Sequence, residues 1–338
     1  MCYKAKEIKG FDYKISKTGK TLTITGCGKI PQQEDILDYP WNEFPCKHVI
    51  ISEGIWEIPC GAIRFPEAES VRLPESLVNI NAGAFDGMRS LKRLCFGKYV
   101  MNIEDCFFDD ILADFDGTEP LREFAVDKHN LVYTTIGGVL FTIDLKTLVR
   151  FPVGKSIKGT YAVRKGVEKI APYSFSMAGE RLHSVKLPPT VGKIGSGAFA
   201  YSSIERVVLS PAITEIPENA FACCWQMKEI DLPAGIKVIG EGAFAYAGIM
   251  DITIPEGVER IGPEAFSNSN LGTINLPSSL QRIERNAFAD LMEARHRRYT
   301  LTVKGSLTKS YDPARLEIEE EGNELLLAAL AEVQSNKS

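Results

Sequence analysis

Residues 219–228 read NAFACCWQMK, with Cys223 and Cys224 adjacent and Trp225 directly after them. Neighbouring thiols beside an aromatic ring invite three chemistries: a redox pair, a soft-metal clip or a thiol nucleophile. Adjacent cysteines bridge only in a strained ring. A structural zinc site needs four convergent ligands. The eight cysteines (Cys2, Cys27, Cys46, Cys60, Cys95, Cys106, Cys223 and Cys224) contain no CxxC pair, and the four histidines (His48, His129, His183 and His296) are far apart. The cysteines are also too sparse for a disulfide scaffold in a chain of this length. Walker A, a Gly-rich dinucleotide turn, HExxH and GxSxG are all absent. The DKHN stretch at 127–130 lacks the spaced acidic ligands of a calcium loop. Arg295, His296, Arg297 and Arg298 make a short basic run that reads as an exposed loop. These residues predict no catalytic group, no metal and no cofactor.

The chain has 338 residues, 44% of them apolar and 25% charged, which is the composition of a folded soluble protein. A net charge of −5 and a pI near 5.6 argue against nucleic acid or an anionic membrane as partner. No apolar run approaches the roughly 20 residues that span a bilayer. The opening MCYKAKEIKG carries lysines without an apolar stretch behind them, so it does not read as a signal peptide. The expectation is a cytoplasmic chain, or one whose export signal lies outside this sequence.

What positions the cysteines is a repeat. Segments 181–203, 204–226, 227–248, 249–270 and 271–291 share one frame, exemplified by IMDITIPEGVERIGPEAFSNSN. The Phe of each Ala-Phe pair falls at Phe199, Phe221, Phe244, Phe266 and Phe288, in steps of 22, 23, 22 and 22. Upstream, Ile63, Phe85 and Phe107 stand 22 apart, and Phe175 opens the later run. Each unit begins with apolar residues at positions 1, 4 and 6, as in Ile249, Ile252 and Ile254. The period of two makes this a short strand with one buried face. A proline then stops the strand in several copies. A second apolar pair such as Val258 and Ile261 follows, then a turn, then the Ala-Phe pair directed inward. One unit cannot bury these residues alone, whereas stacked copies align them into a continuous core.

The LxxIxLP strand, the VxxIG turn and the xxAF close resemble the BspA-like leucine-rich repeats, known from bacterial surface proteins of gut and oral species and from some protists. The resemblance covers roughly residues 45 to 305. It extends to Leu22–Ile30 with Pro40 and Trp41, similar to the family's usual N-terminal start, and to 121–170, similar to its β-hairpin elaboration. It implies an α/β repeat solenoid, right-handed and curved, with a parallel sheet on its concave face. Strand openings near 46, 68, 91, 121, 158, 182, 204, 227, 249, 271 and 298 give about eleven coils, on the order of 50 Å of sheet. The expected organisation is an N-terminal β cap (1–45), a solenoid (46–303, hairpin insertion near 127–157) and a C-terminal cap or tail (304–338). There Leu326, Leu330 and Val333 at i, i+4 and i+7 predict a short helix with Asn323 as N-cap. The helix either docks as a cap or serves as a partner-binding tail.

With positions 4 and 6 buried, positions 3 and 5 project from the sheet. Two clusters result: Arg72 with Arg93, and Lys186 and Arg206 with Glu229, Asp231 and Asp251. The three carboxylates fall within about two strand spacings, roughly 10 Å. They form a recognition strip for a basic segment or a cation, or else a solvated face whose charges pair across strands, Arg206 with Glu229 for instance. Carboxylate pairs also serve glycoside hydrolysis, but that requires a cleft and unequal environments, which an open sheet face does not supply. The functional expectation is a monomeric, non-catalytic protein–protein interaction scaffold with a protein ligand, without nucleic acid or membrane insertion. The resemblance implies adhesion to host or matrix proteins and a cell-surface or secreted setting. The alternative is a carbohydrate-binding module, which would want exposed aromatics on the sheet; positions 3 and 5 of the central coils supply none.

Overall fold

The computed structural model describes residues 8–34, 39–107, 121–179, 182–291, 301–307 and 316–335. The basic run at 295–298 and Cys2 lie outside them. Two compact units are formed, residues 1–155 and 156–338.

In the first unit, alternation in TLTITG and HVII makes one face apolar, and Thr21–Gly26, His48–Ile51 and Ser70–Arg72 pair in parallel. Phe11–Ile15 runs antiparallel to Thr21–Gly26 and forms the sheet's first edge. Arg93–Phe96 and Glu123–Val126 form a further parallel pair. Each of these coils also returns through a second short strand: Gly28–Lys29, Ile55–Ile58, Asn79–Ile80 and Asn102–Ile103 build a parallel file of their own. The expected insertion is a hairpin, Tyr133–Ile136 against Val139–Thr142, with Thr147–Arg150 added as a third strand. Gly137 and Gly138 turn it at φ 56° and 78°, the paired positive φ of a tight hairpin turn. The DKHN segment fixes this insertion. Asn130 is buried, donates to the carbonyls of Gly97 (2.9 Å) and Val100 (2.8 Å), and accepts the N–H groups of Val132 and Tyr133.

The second unit repeats the plan. Thr160–Ala162, Ser184–Lys186, Arg206–Val208 and Glu229–Ile230 pair in parallel, as do Asp251–Thr253, Thr273–Asn275 and Thr302–Lys304. The last strand begins at Thr302, four residues after the opening expected near 298, where Asp251 and Thr273 follow their openings by two. The return file includes Glu215–Ile216, Val238–Ile239, Arg260–Ile261, Arg282–Ile283 and Glu317–Ile318. The acidic run before the helix is therefore the final rung of a sheet. Glu317 and Glu319 flank Arg282 at 3.6 and 2.5 Å.

After the second strand of a coil, and before the opening strand of the next, lies the Ala-Phe turn, which makes a third backbone ladder. The N–H of Phe199 donates to the Ala220 carbonyl (2.9 Å), Phe221 to Ala243 (2.8 Å), Phe244 to Ala265 (2.7 Å) and Phe266 to Ala287 (2.8 Å). The rings of Phe175, Phe199, Phe221, Phe244, Phe266 and Phe288 stack face to face with centroids 5.1–5.3 Å apart and planes within 9°. Offset contact at this spacing is favourable beyond simple burial. Phe85 and Phe107 are buried too, but Phe107 is one residue out of register with the expected ladder. The N–H of Phe85 donates to the carbonyl of Phe107 itself (3.0 Å), so Phe107 holds the place that alanine holds elsewhere. Its ring packs instead on Phe96 and Phe124.

Because every N–H in this ladder points to the following coil, the opening coil of the array is left with unused carbonyls and the closing coil with unused N–H groups. The ends are closed accordingly. At the N-terminal end, the buried Trp41 indole N–H donates to the Ala62 carbonyl (2.7 Å) and the Asn42 side-chain amide to the Gly61 carbonyl (2.8 Å). At the C-terminal end, the Phe288 N–H donates to Asn323 Oδ1 (3.1 Å). Asn323 does hold the N-cap position of the helix Glu324–Ser335, its carbonyl accepting the Leu327 N–H, yet its side chain caps the solenoid rather than the helix. Leu326 and Leu330 are buried and Val333 half-buried, so the helix is docked. It is the one helix among the described residues, and none is long and apolar enough to cross a membrane.

Candidate functional site

The sheet face is built by the alternation itself. In Ser70–Arg72, Arg93–Phe96 and Asp251–Thr253, the inward residue is buried and its neighbours are exposed. Arg72 and Arg93 do not act as one basic pair. Arg93 Nε lies 3.2 Å from Glu123 Oε1 on the next strand. The charge of Arg72 is felt at Glu53, whose carboxyl is held below its ordinary range first by the Glu75 N–H, then by Ser76, and least by this arginine.

The second cluster is more compact. Arg206 Nη1 lies 3.0 Å from Glu229 Oε1 and Nη2 3.7 Å from Asp231 Oδ2, so one guanidinium spans two carboxylates of the adjacent strand. The Asp231 side chain is 97% exposed. Asp251 and Lys186 form no ion pair among the described residues. Asp251 begins a separate ladder, since no sheet hydrogen bonds join Glu229–Ile230 to Asp251–Thr253 there. The cross-strand pair of Arg206 with Glu229 is present, and Asp231 and Asp251 leave the patch acidic. Exposed pairs of this kind contribute roughly 0–1 kcal/mol each, so the face is shaped little by its own ion pairs. Among the described residues, no group of three His, Cys, Asp or Glu is disposed to hold a metal ion.

The thiols that open the question of chemistry occupy two different environments. Cys223 stands in a left-handed turn position, φ 56°, shared by Met177, Tyr201, Tyr246, Asn268 and Asp290, all between 49° and 58°. Such a backbone is unfavourable for residues other than Gly, Asn and Asp. It persists because a second ladder holds it: Tyr201 N–H to Ala222 O, Cys223 N–H to Ala245 O, Tyr246 N–H to Ser267 O. Cys224 turns inward instead. It is fully buried in the core slot of Ser202, Ala247 and Ser269, and its thiol donates to the Phe199 carbonyl at 3.0 Å. Burial pushes the Cys224 thiol up to about 12 and raises Cys223 as well. Both are thiols rather than thiolates at neutral pH, the opposite of an activated nucleophile.

The extra residue of the 23-residue step falls just after Cys224. It carries Trp225 outward, edge-on to Tyr201 with centroids 6.4 Å apart and planes at 77°. This aromatic ridge was not among the sequence-derived sites. The lone 23-residue step was its signal.

The family described as BspA type Leucine rich repeat region matches residues 34–120 and 168–294, in six copies, which is more than half the chain. No curated protein matches. Among solved structures, the chain is similar to a leucine-rich repeat protein from Eubacterium ventriosum, 17% identical, with a TM-score of 0.57 over 83% of this chain and 86% of that one. It is also similar to the pneumococcal vaccine antigen PcpA, 16% identical, with a TM-score of 0.54 over 92% and 96% of the two chains. At these identities both likenesses concern the fold. Six copies of the repeat, the stacked phenylalanine core and two files of short parallel strands agree: the chain belongs to the BspA-type leucine-rich repeat family.

Proposed function

We propose that this chain is a non-catalytic scaffold that binds a protein partner through the face of its parallel sheets, centred on Arg206, Glu229, Asp231 and Asp251. The observation that carries this reading is the division of labour within each coil. The repeated residues are spent on the core, while positions 3 and 5 vary in charge from coil to coil and point to solvent. The acidic surplus there suits a lysine- or arginine-bearing segment, and adhesion to a host or matrix protein is one setting in which such a surface serves. The test is capture of a partner with the native chain and with Glu229→Lys plus Asp251→Lys. These exposed changes should leave melting unchanged and abolish capture. Capture that is indifferent to charge reversal would remove the sheet face from the reading.

A further inference from the structure

Tyr201, Cys223 and Tyr246 stand in successive left-handed turn positions, kept in step by the ladder on Ala222, Ala245 and Ser267. The core rings beneath them rise 5.1 Å from Phe199 to Phe221 and 5.3 Å from Phe221 to Phe244. Two such steps set Tyr201 and Tyr246 about 10 Å apart along the ridge. The smaller Cys223 lies between them, and Trp225 leans on Tyr201 from the side. Trp225 is 48% exposed and Tyr246 46%.

An exposed tryptophan adds little to folding, yet the backbone of two coils makes room for the lengthened turn that carries this one. Its own coil is lengthened to 23 residues. The next coil carries Gly248, where a Cβ would overlap the Trp225 carbonyl oxygen.

We propose that the ridge of Tyr201, Trp225 and Tyr246 binds a proline-rich segment of a partner protein in the polyproline II conformation. That helix has three residues per turn and a rise of about 3.1 Å, so residues i and i+3 recur on one side about every 9.3 Å. This matches the tyrosine spacing. A PxxP segment would set one proline on each tyrosine and the intervening turn against the indole, the aromatic-lined mode by which such helices are recognised. The stiffness of the ligand keeps the ordering cost of binding low. The surface is distinct from the sheet positions invoked above, and its assignment does not rest on theirs.

The test uses the full chain and fluorescein-labelled decaproline, followed by anisotropy and by tryptophan emission, with cellohexaose as a second probe. Saturable decaproline binding is expected. The emission change should disappear in Trp225→Ala, affinity should fall by about tenfold or more in Trp225→Ala and in Tyr246→Ser, and Trp56→Ala should bind as the native chain does. Melting of the two ridge variants should be unchanged, because both side chains are exposed. Absence of saturable decaproline binding to the native chain would overturn the proposal, as would binding that survives Trp225→Ala. Titration of the Trp225 emission by cellohexaose with decaproline silent would overturn it in favour of a glycan surface.

Discussion

Replacing Asn323 with alanine should unfasten the C-terminal end of the repeat array. The side chain is fully buried and makes three hydrogen bonds: Oδ1 accepts the Phe288 N–H at 3.1 Å, and Nδ2 donates to the carbonyls of Glu284 (2.9 Å) and Glu319 (2.7 Å). Alanine strands a buried N–H, at about 1–3 kcal/mol, and removes two neutral hydrogen bonds worth about 0.5–1.5 kcal/mol each. With partial access of water to the freed carbonyls, the net cost is roughly 2–4 kcal/mol. In a repeat protein, stability is a sum of local and nearest-neighbour terms, so the loss should be read locally. Amide exchange at Phe288 and Asn286 should accelerate by roughly thirtyfold or more, the equivalent of about 2 kcal/mol, while the Phe199 amide exchanges as before. Asn323→Asp keeps an acceptor for Phe288 but turns a second oxygen toward two carbonyls, and should be at least as damaging as alanine. Unchanged Phe288 exchange in Asn323→Ala would refute the capping argument. An Asp variant as stable as the native chain would show that the two donated bonds carry nothing.

At the other end, Trp41→Phe keeps an aromatic side chain but leaves the Ala62 carbonyl without its indole donor; a loss of about 1–3 kcal/mol is expected in urea denaturation. Phe244→Ala interrupts the ring stack at two 5.3 Å contacts; a loss of about 3–5 kcal/mol is expected, and an unchanged urea midpoint would refute the stacked-core account. Thiol labelling of the folded chain at pH 8 should be fast at the exposed Cys27 and Cys95, slow at Cys223 and absent at Cys224, whose thiol is raised to about 12 by burial; rapid modification of Cys224 would contradict this. Glu256, through the Ser306 hydroxyl, and Glu319, through Arg282, are held below the usual carboxylate range, as Glu53 is by the Glu75 N–H. Their contribution is complete above the unfolded carboxylate pKa of about 4.3 and is lost as pH falls through the lower folded values. The urea midpoint should therefore decline below about pH 4 and show no such decline between pH 5 and 7.

Much of the fold was legible because a repeat states its rule many times. Where period and residue type agree, as in Ile252 and Ile254 or Ala265 and Phe266, the buried position is written in the chain. The reading slipped where the copies are few and the residues ambiguous. Phe107 and Phe108 are neighbours, either can continue a step from Phe85, and only the hydrogen bond from Phe85 shows that Phe107 takes the alanine place. Asn323 was legible as an N-cap because that preference is local. Its bond to Phe288, across 35 residues, is not. The sheet-face residues were found by parity alone, yet parity does not say that Arg93 turns to Glu123 rather than joining Arg72.

By itself the sequence determined the repeat, the buried apolar positions and the strand that opens each coil, because each depends on residue type and spacing. Tertiary structure decided the rest. It built a second parallel file from short strands such as Arg260–Ile261, separated Cys223 in a strained turn from Cys224 in the core, and brought Tyr201, Trp225 and Tyr246 to one ridge. The physical reason is that a coil's polar backbone groups find their partners in the next coil, some 22 residues away. The conformation of a turn is therefore set by what stacks on it as much as by its own residues.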